Sequence, residues 1–145
     1  MIAALVLIVV GVLAGVVVAV QQGGAGAAPV GRRGITTFGP GAKGALEFAY
    51  RARLSAADHV DDDGDALVDA AQILARDRAN YHLRFVRDDE DGYDPELGTA
   101  EAVTVFRGVV GGALDGEMRA AIVGGTPLVE VEVYDNGVGV EIIGP

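Results

Sequence analysis

Cysteine is absent from the 145 residues, lysine and serine occur once each, as Lys43 and Ser55, and no acidic residue precedes Glu47. Without cysteine there is no disulfide framework, no thiol nucleophile and no thiolate metal site. Ser55 lies four residues before His59, so on a helix the two would share a face. Asp58 would then point about 100° away and could not orient the histidine as a triad requires. His82 has neither a second histidine nor an acid at metal-ligand spacing. The many Asp and Glu residues single out no acid/base pair. The sequence therefore points away from an enzyme.

Charge is scarce in one half and one-sided in the other. Residues 1–44 carry Arg32, Arg33 and Lys43 and no acid, whereas residues 45–145 hold all 21 acids against 8 arginines. Abundant carboxylates with almost no lysine are the balance expected of a protein from near-saturated salt. Carboxylates there hold water and cations, and ionic strength screens their repulsion. A domain so acidic also repels phosphate backbones, which argues against nucleic acid as a partner.

What is present begins with MIAALVLIVVGVLAGVVVAV, twenty residues without a charge, a polar side chain or a proline. As a helix rising about 1.5 Å per residue, the run covers roughly the hydrocarbon thickness of a bilayer. Its length, and the lack of a basic segment before it, fit a retained single-pass anchor over residues 1–21 better than a cleaved signal. The first basic residues, Arg32 and Arg33, follow the span, which predicts a C-terminal domain on the cytoplasmic side with both arginines near the headgroups. Gly11 and Gly15 form a GxxxG pair on which a homo-oligomer can pack.

Residues 22–44 read as a glycine-rich connector with a random-coil span of about 27 Å and a taut limit of about 80 Å. Within it, Ile35–Phe38 can form a short strand or dock on a partner. Gly39–Gly44 fits GxGxxG, but the pattern that follows is not a βαβ unit, so a joint is expected rather than a nucleotide site. The acidic domain, residues 45–145, reads as α+β. Leu46, Tyr50, Leu54 and Ala57 predict a helix to about Val60. Asp65 caps a second helix ending near Asn80. Tyr81–Arg87 and Val103–Val110 are expected as strands, with an exposed acidic loop over 88–98 and a short helix over Leu114–Val123. Leu128–Asp135 and Val138–Ile143 flank Asn136-Gly137, a signature of a type I′ hairpin in a mainly antiparallel sheet. That turn sets Val133 opposite Val140 and Glu132 opposite Glu141. The outer face then carries Glu130, Glu132 and Glu141, a like-charge arrangement that favours high salt or an arginine-rich partner.

Asp61, Asp63, Asp65 and Asp69 fall at positions one, three, five and nine of a loop that resembles the calcium loops of EF-hand and dockerin proteins. This makes Ca²⁺ the one candidate cofactor. Ala66 and Gln72 stand where that pattern wants glycine and a bidentate glutamate, so a solvated acidic turn is the alternative. The apolar N-terminus also resembles a type IV pilin, without the basic leader or the early acidic residue.

The overall plan of anchor, tether and compact acidic domain resembles the membrane-anchored minor capsid proteins of halophilic archaeal icosahedral viruses with an internal lipid bilayer. That resemblance implies a virion structural protein, a capsid–membrane linker. It implies capsid proteins as partners at Ile35, Phe38, Glu130, Glu132 and Glu141, and anionic headgroups at Arg32 and Arg33. A cellular membrane-anchored binding or sensor module is the other plan this layout suits.

Overall fold

The computed structural model describes residues 29–37 and 43–145. The expected anchor, with Gly11 and Gly15, and Phe38 lie outside these residues. Among the described residues no helix is long and apolar enough to cross a membrane. The domain is α+β. Four strands, β1 (Arg33–Thr37), β2 (Leu46–Arg53), β3 (Leu128–Tyr134) and β4 (Gly137–Gly144), form an antiparallel sheet in the order β1-β4-β3-β2. Helices α1 (Ala70–Ala79), α2 (Ala100–Val110) and α3 (Gly116–Gly124) accompany it. The core lies between the layers, where Leu54, Ile73, Val110, Met118, Ile122, Val129, Val131, Val140 and Ile142 are fully buried.

Three expected elements are replaced. Residues 46–53 form a strand, not a helix. Phe48, Tyr50, Ala52 and Leu54 point inward while Glu47, Ala49 and Arg51 are exposed. Residues four apart share a side in both a helix and a strand, so Tyr50 and Leu54 could not decide between the two periods. Ala56–His59 is only a 3-10 turn.

Val103–Val110 belongs to α2 rather than to a strand. The Thr99 side chain caps it by accepting from the Ala102 N–H at 3.1 Å, and Val103, Phe106 and Val110 form its buried stripe. Burial of that stripe outweighs the strand preference of its valines. Tyr81–Arg87 is likewise no strand. The chain leaves α1 through a π turn over Asn80–Arg84, and the Phe85 and Val86 N–H groups both donate to the Asn80 carbonyl. The cap of α1 is Asp69, which accepts from Ala71 and Gln72, and not Asp65.

The short helix before the hairpin and the hairpin itself form as expected, but the turn sits one residue earlier. Tyr134 pairs with Gly137, leaving Asp135-Asn136 as the connection, and neither has positive φ, so the turn is not type I′. Pairing is displaced by two residues from the expected register: Val133 faces Val138, Val131 faces Val140, and Glu130, not Glu132, faces Glu141. A two-residue displacement keeps every side chain on its expected face. Residues 33–37, inside the stretch read as connector, form one of the two edge strands of the sheet. This strand lies so close to the Gly111–Ala113 turn that a Cβ at Gly34 would overlap the Ala113 carbonyl oxygen.

Candidate functional site

The four candidate calcium ligands do not converge. Asp61 accepts from the Asp63 and Asp65 N–H groups at 3.0 and 2.9 Å, closing a tight turn in which Gly64 takes φ +87°. Asp69 is occupied as the α1 cap. Among the described residues no three histidine or acidic side chains are arranged to hold a metal ion. The Ser55 hydroxyl and the His59 ring do not pair either. The Ser55 hydroxyl donates to Asp58 at 3.2 Å, and the two His59 ring nitrogens face the Ser55 and Ile122 carbonyls at 2.8 Å each.

The arginines expected at the headgroups are engaged within the domain. Arg32 reaches Asp115 at 2.6 Å and Glu117 at 2.9 Å at the start of α3. Arg33 pairs with Glu132 and Glu141. The predicted acidic sheet face is therefore not purely acidic. Arg33, Glu141, Glu130 and Arg51 stand side by side on the four strands, so the opposed glutamates are flanked on both sides by guanidinium groups. Ile35 is exposed on β1.

A buried polar network that sequence reasoning missed lies under the π turn. Arg78 is completely buried, with its guanidinium 4.2 Å from the Tyr50 ring centre and 4.7 Å from that of Tyr81. It donates to Asp77 at 2.7 Å, Asp94 at 3.1 Å and the Gly92 carbonyl at 2.9 Å. Asp94 also accepts from His82 at 2.8 Å and from the Leu97 N–H at 2.7 Å. The acidic loop over 88–98 is thus pinned at its centre by buried Asp94.

One arginine serves two buried carboxylates, and Asp77 has the fewer donors. Burial pushes the Asp77 carboxyl up to about 8, against the pull of Arg78. Burial also raises Asp58, which accepts from Asn80 Nδ2 at 2.9 Å and so ties the 3-10 turn to the π turn. These groups bind one another rather than a solvent-filled cleft, which makes the network a base that fixes local shape.

Beside that base stand exposed apolar side chains. Phe85, just past the π turn, is 76% exposed and is the one non-glycine among the described residues with positive φ, 58°. Leu83 and Val86, its neighbours in the chain, are also exposed, and the Arg87 guanidinium lies 5.7 Å from the Phe85 ring centre. No protein family, curated protein or solved structure matches the chain.

Proposed function

We propose that the protein is a non-enzymatic, membrane-anchored interaction protein that links a bilayer to an adjacent protein assembly. In its finer form, the proposed assembly is the capsid shell of a halophilic archaeal virus with an internal membrane. The apolar run of residues 1–20 would be the membrane end, with the acidic domain on the cytoplasmic or capsid-facing side. The exposed apolar residues around Phe85 would be the partner end.

The observation that carries the reading is Phe85 itself. An aromatic residue in the left-handed region costs about 1–2 kcal/mol, and its ring buries little in return at 76% exposure. Strain of this kind persists where the surroundings over-determine it, and here they include the capped π turn and the Arg78 network. An exposed aromatic is also a residue type that anchors protein interfaces. The layout resemblance supports the viral form of the proposal.

The test is a photoreactive phenylalanine analogue at position 85 of the full chain. Crosslinking to one shell protein in purified particles, at fixed stoichiometry, is the expected result. Crosslinks to lipid alone, or recovery of the chain only from host membranes, would overturn the viral linker. Phe85→Gly is the companion variant. It should stabilise the fold by about 1 kcal/mol yet lose the crosslinked partner in co-purification. Retained co-purification would remove Phe85 from the interface.

A further inference from the structure

A cavity of about 330 Å³ lies between α1, α2, the acidic turn and the π turn. Its apolar wall is Leu67, Ala75, Ala79 and Val103; one carboxylate, Asp61, lines it, and three guanidinium groups, those of Arg76, Arg84 and Arg107, outnumber that acid. This concentration of positive charge occurs in a molecule of net charge −10. Arg76 and Arg84 converge on one carboxylate oxygen, Oδ1 of Asp62, at 2.7 and 2.6 Å. Asp62 is 72% exposed and sits on the turn, so it is held chiefly by this pair of contacts. The Arg76 side chain is only 15% exposed, and its buried Nε has no hydrogen-bond partner among the described residues. The Arg107 side chain makes no ion pair or hydrogen bond among the described residues. Two cations therefore share one anion, a third stands beside them unpaired, and a buried donor is unused.

We propose that this cavity is a binding site for a small organic anion, a carboxylate or phosphate group joined to an apolar body. The anion would bridge Arg84 and Arg107 and replace Asp62 on Arg76, while the body packs on Ala75, Ala79 and Val103. Guanidinium groups suit this task because their paired donors match an oxyanion's geometry. Asp62 is then an internal competitor that occupies the site in the empty state. The proposal is independent of the partner reading at Phe85, since the two use different residues and different chemistry.

The test uses the full chain in detergent at molar KCl, with 4-fluorobenzoate followed by fluorine NMR. Saturable binding is expected, weakened about tenfold in Arg84→Ala and in Arg107→Ala, on the scale of one charge-assisted contact each. Asp62→Asn should bind about tenfold more tightly, because removing the competitor frees two guanidinium groups. This gain cannot arise from a damaged fold. Fluoroacetate, which has the carboxylate but no apolar body, should bind more weakly than 4-fluorobenzoate. No saturable binding to the wild type or to Asp62→Asn would overturn the site. Equal binding of the two probes would overturn the role given to the apolar wall.

Discussion

Tyr50 is 4% exposed, and its hydroxyl has no hydrogen-bond partner among the described residues, although its ring stacks on Arg78. A buried hydroxyl without a partner loses its hydration for nothing, at about 1–3 kcal/mol. Tyr50→Phe keeps the ring and removes the orphan atom, so its melting temperature should equal or exceed that of the wild type. A clear fall would mean the hydroxyl has a partner. Asp77 makes a prediction of opposite character. Its folded-state value lies near 8 against an ordinary 3.8, so the protonated form is favoured by folding. That contribution is complete below about pH 4 and is lost as pH rises toward 8. The wild type should therefore melt at progressively lower temperature from pH 5 to pH 8, and Asp77→Asn should show a flatter profile over the same window. Neither behaviour is legible in the sequence, where Asp77-Arg78 is simply an adjacent charged pair on a helix. It is the convergence of Asp94 and the Tyr50 ring from other segments, with Tyr81 one turn further along the same helical run, that takes this pair out of water.

At the scale of elements, β1 shows how closely the parts are fitted. Gly34→Ala would drive a methyl group into the Ala113 carbonyl and toward Met118 Sδ at 3.3 Å. A loss of about 1–3 kcal/mol is expected, with faster amide exchange confined to β1 and the adjoining edge of β4. Uniform exchange across the sheet would argue against a local effect. The elements whose existence was read correctly were those with punctuation: the hairpin, although its turn is Asp135-Asn136 and not Asn136-Gly137, and the helix between the glycine pairs 111–112 and 124–125. Those misread had ambiguous periods. The valines of α2 suggested a strand until Thr99 is recognised as its cap. Reading Tyr81–Arg87 as a strand also separated Arg76 from Arg84. The two side chains meet only through Asp62 of the acidic turn, a contact that helical spacing alone does not supply.

At the scale of the molecule, 21 acids oppose 11 lysines and arginines, and the surplus is spread over one domain. Screening of that repulsion should raise the melting temperature between 0.1 M and 3 M KCl. A circular dichroism signal unchanged over that range would sink the halophilic expectation. The sheet face is not where the salt effect should be largest, because Arg33 and Arg51 flank Glu141 and Glu130. Sequence alone determined the properties that are sums or local patterns: the apolar run, the charge imbalance, the absence of thiol chemistry, the hairpin and the alternation of its faces. The tertiary structure decided what depends on segments far apart in the chain. It put arginines beside the opposed glutamates, buried Arg78 between two tyrosines, and gathered three guanidinium groups around one cavity. Such juxtapositions follow from how layers pack, and packing is set by the whole core rather than by any stretch of sequence that can be read on its own.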